Sequence, residues 1–223
     1  MKIWSLIGFF LLSINSAFAQ DKSEWSFEAH GGFPLNIPLP LTVQQTGYPA
    51  IKFNAQFNSE PFNSPIFWVG RFNKWKNSKA WEFELMHQKL FLKNKPPEIQ
   101  YFNMSHGYNQ LIVSRAFKFK IIKKQEFIFK GGAGIVLAHA ENSVRNKELN
   151  QHQSFFNLGY YFGGPTINIA LAKQLPLNNR FYLNAETKFN TSYARIPIVD
   201  GNAKVWHAAF EFIFGVGYCF IRD

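Results

Sequence analysis

The stretch Phe102-Asn103-Met104-Ser105-His106-Gly107-Tyr108-Asn109 holds the residues best suited to chemistry in this chain. A serine beside a histidine offers two parts of acyl hydrolysis, a nucleophile and a base. His106 would be the base, and Ser105, His106 and Asn109 form the candidate catalytic set. Two facts oppose that reading. Neighbours on a regular strand point to opposite faces, so Ser105 and His106 would part, although a bulge at Gly107 could re-aim them. Tyr108 is a bulky phenol that alters the approach of an ester. Elsewhere Glu84 and His87, an odd number of residues apart, fall on opposite sides of a strand, whereas His139 and Glu141 share a face. The lone Cys219 excludes a disulfide framework and a thiolate cluster. The chain has no phosphate-cradling loop, no His-x-x-x-His pair and no paired-cysteine motif, so neither a metal nor a cofactor is expected.

The elements that carry these residues are strands of period two. Across 181–193 every second residue is apolar or small, and the other set is Tyr182, Asn184, Glu186, Lys188, Asn190 and Ser192. Across 206–220 one face carries Trp206, Ala208, Phe210, Phe212, Phe214, Val216, Tyr218 and Phe220, with Phe189 on the matching face of the preceding run. The opposite face carries His207, Ala209, Glu211, Ile213, Gly215, Gly217 and Cys219. Such runs exceed the five or six residues typical of a soluble strand. A wall with lipid outside and polar side chains inside accounts for both length and pattern. The fold class expected is all-β, a closed antiparallel transmembrane barrel in which Phe189, Trp206, Phe210, Phe212, Phe214 and Phe220 face lipid. Glu28, His30, Lys52, Glu82, Glu84, Lys130, Glu186, Lys188, His207 and Glu211 are assigned to its interior. A narrow barrel is filled by its own side chains, and mixed charges there would pair, so a plugged lumen is expected.

Further runs alternate at 24–33, 51–58, 66–72, 80–92, 127–140 and 156–173, with a bulge expected at Gly163-Gly164-Pro165. The run 99–119 is long and its facing ambiguous. Nine segments are visible, but a barrel of this kind needs an even number. Eight strands are preferred, with 51–58 bent onto 66–72 or lying in a loop, because Pro34, Pro38 and Pro40 argue against a strand at 35–43. Ten is the alternative. The links 92–98, 141–154 and 194–203 would then be external, and 73–79, 120–125 and 174–180 periplasmic.

Residues 1–19 read as a secretory signal, with Lys2, an apolar core at 3–14 and Ala17-Phe18-Ala19 before the cleavage point. Residues 20–223 then form a single domain. Lysine and arginine number 24 against 14 acidic residues, a net charge of +10, or +9 once Lys2 leaves with the leader. Export excludes nucleic acid as a partner. A phosphate-rich lipopolysaccharide surface suits a basic barrel, although many lysines would simply mark turns.

The leader and alternating strands resemble those of small outer-membrane proteins of about eight strands, a class with adhesion-related, structural and lipid-modifying members. That resemblance implies the outer membrane of a Gram-negative bacterium and a monomer. The segment His106-Gly107-Tyr108-Asn109 resembles the His-x-Ser-Asn motif of outer-membrane lipid A deacylases, whose histidine and serine share a strand face and whose triad a glutamate completes. The resemblance implies His106 as base and Asn109 as the motif's last residue, but Tyr108 stands where the nucleophilic serine belongs. The preferred reading is non-enzymatic: His106 and Tyr108 sit in the interfacial aromatic girdle, and the chain binds lipopolysaccharide or presents external loops. A lipid A acyl hydrolase and a narrow pore or carrier for small hydrophobic molecules are the alternatives.

Overall fold

The structure, a computed structural model, describes residues 23–121, 125–149, 154 and 158–222. The expected leader, 1–19, lies outside the described residues, as do parts of the links 120–125 and 141–154. Fifteen strands follow one another among the described residues. The first six are β1 (Ser23–Ile37), β2 (Leu39–Gln45), β3 (Ile51–Ala55), β4 (Phe57–Asn58), β5 (Trp68–Lys76) and β6 (Lys79–His87). Next come β7 (Leu90–Leu92), β8 (Ile99–Met104), β9 (Tyr108–Lys120), β10 (Glu126–His139) and β11 (Glu141–Val144). The last are β12 (Lys147–Glu148), β13 (Tyr160–Pro176), β14 (Phe181–Ile198) and β15 (Gly201–Arg222).

Eight of them close into an antiparallel barrel in the order β1-β5-β6-β9-β10-β13-β14-β15, sealed by pairing of β15 with β1. One end is formed by short turns and by the residues nearest both termini: Ser23 pairs with Lys76, and Glu24 with Arg222. The other end carries the longer connections. There β4, β7, β8, β11 and β12 form a second, five-stranded sheet, and β2 and β3 add to the side of β15.

Several sequence expectations need correction. Residues 35–43 are extended after all. β1 runs to Ile37 opposite Ala208, and β2 takes up the same partner at Leu41 opposite Val205, so the two form one strand nicked at Pro38. Pro34 is tolerated because β5 leaves β1 at His30, so the upper part of β1 has a partner on one edge only, and Pro40, opposite Asn54, precedes the β2–β15 ladder, which begins at Leu41. The strand count stays at eight because this is a continuation, and 51–58 lies in the upper connection as β3 and β4. The run 80–92 is divided: β6 belongs to the barrel and β7 to the second sheet. The ambiguous run 99–119 is two strands, β8 and β9, joined by a turn at 105–107. The link placed at 194–203 shrinks to Val199 and Asp200, because β14 and β15 pair as far as Ile198 and Gly201. At the bulge, Gly163 is the extra residue, since Val136 pairs with Gly164 and Leu137 with Phe162.

Both faces of the wall change character at one level. The inward face of β14 reads Tyr182, Asn184, Glu186, Lys188, Asn190, Ser192 and then Ala194, Ile196, Ile198, all buried. Its outward face is apolar or small, with Thr187 and Thr191, as far as Tyr193, and then presents Arg195. On β15 the switch falls between Trp206 and Lys204 outside, and between His207 and Val205 inside. Below this level the molecule is polar within and apolar without; above it the order is reversed. The apolar inner face above the switch packs into a core built from both sheets. Leu41, Val43, Ile196 and Val205 join Leu90, Phe102, Met104 and Val144 there. Each large apolar side chain buried from water contributes about 1.5–3 kcal/mol, so this cap has an ordinary hydrophobic core.

Candidate functional site

Below the cap the lumen is filled by side chains that bridge it. Arg71 on β5 donates through Nη1 to Glu28 on β1 at 2.7 Å, through Nη2 to Glu84 on β6 at 2.7 Å and to Glu186 on β14 at 2.9 Å. Lys130 on β10 pairs with Glu82 at 2.7 Å and Glu186 at 2.9 Å. Lys188 on β14 pairs with Glu84 on β6, which stands directly across the eight-strand ring. The tier nearest the turns is held by Tyr182, whose hydroxyl donates to Glu28 at 2.7 Å. The tier nearest the cap is held by Gln110 Oε1, which accepts from Thr166 at 2.6 Å and Asn190 at 2.8 Å. Beyond it Tyr108 and Ser192 share a hydrogen bond of 2.8 Å. Charges removed from water need partners, and each of these charged side chains lies against an opposite charge.

The structure places Glu28, His30, Glu82, Glu84, Lys130, Glu186, Lys188, His207 and Glu211 inside, all buried. Lys52 is not among them: it is exposed on β3 in the upper connection, beyond the barrel wall. The cation at the centre of the network, Arg71, does not emerge from the sequence reading. Its alternation with Val69 and Asn73 on one face of β5 was the available signal. Trp206, Phe210, Phe214 and Phe220 are exposed on the outer wall, while Phe189 and Phe212 are partly covered by neighbouring rings on the same side.

At the junction of barrel and cap, the turn at 105–107 brings Ser105 and His106 together, contrary to their expected divergence. Ser105 Oγ lies 2.9 Å from His106 Nδ1 and donates to Glu141 Oε1 at 2.7 Å, while His106 Nδ1 lies 2.7 Å from the same oxygen. Gly107, at φ +136°, makes the turn possible. His139 Nδ1 stands 3.3 Å from Glu141 Oε1, so the shared face of His139 and Glu141 is used. Tyr101, near this site on β8, is pushed above the ordinary phenol range by burial and by Glu148 and Glu141.

These contacts form a triangle and not a relay. In a serine–histidine–carboxylate relay one ring nitrogen meets the serine and the other meets the carboxylate. Here a single nitrogen of His106 meets both, and the Ser105 hydroxyl donates its hydrogen bond to Glu141. Asn109 is engaged elsewhere, its Oδ1 2.7 Å from His87 Nδ1. Tyr108 does not lie in an outer girdle: it is fully buried and turned into the lumen, with its ring against His207. His106 does lie at the surface, on the turn and not on a strand.

No protein-family model matches the sequence, and no curated protein matches it. Among solved structures it is similar to the outer membrane protein AlkL in DMPC lipid bilayers, at 10% identity and a TM-score of 0.57 over 90% of this chain and 91% of that one. Ail of Yersinia pestis (13% identity, TM-score 0.40, 90% and 99% covered) and Neisserial surface protein A (12%, 0.39, 89% and 97%) also match. The likeness to AlkL shows the fold: this chain is a closed eight-stranded transmembrane β-barrel.

Proposed function

We propose that the chain is a non-enzymatic, non-conducting outer-membrane protein that holds lipopolysaccharide phosphate at its outer rim and displays a rigid cap above it. One observation carries this reading. Arg195, Lys204, Thr42 and Lys52 occupy a single row across β14, β15, β2 and β3. The three cations are exposed. The row lies one step above the outward aromatic pair Tyr193–Trp206, whose ring centroids are 5.0 Å apart. Aromatic pairs of this kind mark the level where acyl chains meet headgroups. Like charges directly opposite each other, as Arg195 and Lys204 are, destabilise a sheet, and a phosphate group seated between them reverses the sign of that interaction. The cap end is taken as external, because short turns and both termini gather at the periplasmic end of such barrels.

The carrier reading is not favoured by the lumen. From the turn end a vestibule of about 550 Å³, lined by Lys118, Lys173, Arg180 and Glu126, ends on Tyr182. Above Tyr182 the charged tiers begin. Acyl hydrolysis is not favoured by the triangle at Ser105. Lipid A from cells making the wild type or the His106→Ala variant should carry the same acyl chains. Loss of one chain with the wild type, restored in the variant, would overturn this point.

The rim reading is tested by titrating lipopolysaccharide against the barrel refolded in phosphatidylcholine vesicles. Each basic residue near an anionic surface contributes about 1 kcal/mol. The combined Lys52→Ala, Arg195→Ala, Lys204→Ala variant should therefore bind roughly a hundredfold more weakly, with a flatter salt dependence. Equal binding by the variant would remove the rim site.

A further inference from the structure

We propose that His106, His139 and Glu141 bind a divalent transition-metal ion, zinc foremost, at the joint between barrel and cap. Two imidazoles and one carboxylate are a donor set that takes such ions and leaves positions open. Their candidate ligand atoms all lie within 4.8 Å of one another. His106 Nδ1 and His139 Nδ1 stand 2.7 and 3.3 Å from Glu141 Oε1. Around a tetrahedral zinc with ligand bonds of about 2.0–2.1 Å, donor atoms sit about 3.3 Å apart. The carboxylate and His139 are already at that spacing; His106, on an exposed turn, would draw back from the carboxylate by about half an ångström, and the two imidazoles, whose ligand atoms lie within 4.8 Å of each other, would close on the ion.

An independent observation points at a ligand. His139 Nδ1, on a side chain about nine-tenths buried, faces Glu141 Oε1 at 3.3 Å without good hydrogen-bond geometry. A buried polar atom held in a weak contact is incompletely satisfied, and a metal bond would complete it. The ring is flanked on two sides. Gly159, at φ +78°, packs its backbone on the Nε2 side, where any Cβ would strike the imidazole, and Tyr160 meets the ring edge-on at 5.2 Å. The Tyr160 hydroxyl also donates to the His106 carbonyl at 2.8 Å, fixing the turn. Ser105, hydrogen-bonded to Glu141, orients the carboxylate as outer partners of metal ligands commonly do. The site is open on one side: the His106 side chain is 66% exposed, Glu141 26% and His139 10%. An ion can therefore enter from the cap's surroundings.

The three ligands come from the turn between β8 and β9, the end of β10 and the start of β11. At Ala140, between the last two, the chain passes from the barrel sheet to the cap sheet. A bound ion would fasten two of the chain's crossings between the sheets.

The test uses the untagged chain refolded in detergent micelles, with folding verified by heat-modifiable migration on gels. Zinc chloride titrated by calorimetry should bind at one ion per chain, and cobalt(II) in its place should give visible bands of nitrogen and oxygen ligation. Glu141→Gln and His139→Ala should each weaken zinc by at least about a hundredfold, the upper end of what losing an outer partner alone costs. His106→Ala removes a ligand whose side chain is mostly exposed, so it remains usable if His139→Ala fails to fold. Absence of stoichiometric binding by the folded wild type would overturn the proposal. Undiminished binding in folded His106→Ala and Glu141→Gln would overturn it equally, by placing the ion elsewhere.

Discussion

The barrel and the cap are built from the same long strands, yet they are held together by opposite means. On β14 the residues from Tyr182 to Ser192 point polar groups inward, and two steps later Ala194, Ile196 and Ile198 point apolar groups in the same direction. The backbone pairing does not change across that boundary; the solvent outside the wall does. In hydrocarbon there is no water to escape from, so the barrel can devote its interior to ion pairs and hydrogen bonds. Above the bilayer the hydrophobic effect returns, and Phe102, Met104 and Leu90 form a core. From Trp206 to Tyr218 the outer wall of β15 advances twelve residues at about 3.3 Å each. With a tilt of about 40° that is a rise of roughly 30 Å, close to the apolar band of about 25 Å seen in such barrels.

The largest expected effect separates the two regions from the barrel side. Arg71→Met leaves Glu28, Glu84 and Glu186 without their shared cation, and breaking a buried pair costs about 3–5 kcal/mol. We expect a loss near the top of that range in urea unfolding from lipid vesicles; a shift under about 1 kcal/mol would mean that the network does not hold the barrel. From the cap side, Phe102→Ala empties part of the core and should cost about 4 kcal/mol. Its signature should be faster external proteolysis of the cap while the barrel keeps its heat-modifiable gel shift. Loss of both together would show that the regions fold as one unit.

Placing arginine on the outer wall at Phe212 should cost about 2–4 kcal/mol if that position is near the midplane, and less towards the interfaces. Unchanged insertion into vesicles would count against the lipid-facing assignment. The smallest effect is expected at the boundary itself. Tyr108→Phe removes one hydrogen bond to Ser192 and should cost about 1 kcal/mol. A loss several times larger would make this contact a latch between the regions.

How much of this is legible in the sequence depends on whether the pattern keeps its sign. The barrel portions of β14 and β15 can be read directly, because a period of two with one continuous aromatic face admits little besides a strand against lipid. The continuation through 194–203 reads as a loop, since apolar and polar residues exchange faces there while the period stays intact. Prolines hide the extension of β1, because a sequence does not say which edge of a strand is free. Most charged residues of the lumen follow from alternation alone. Arg71 does not, because its segment is short and follows closely on prolines. The meeting of Ser105, His106, His139 and Glu141 cannot be foreseen from strand geometry. It depends on a glycine turn and on two crossings between sheets.

Conductance bears most directly on a barrel closed by its own charges. The refolded wild type, inserted into planar bilayers in concentrated salt, should give no current steps above the bare membrane, since tiers from Tyr182 through Arg71 and Lys188 to Gln110 span the lumen. Reproducible ohmic steps from the wild type, scaling with salt concentration, would contradict the plugged barrel outright.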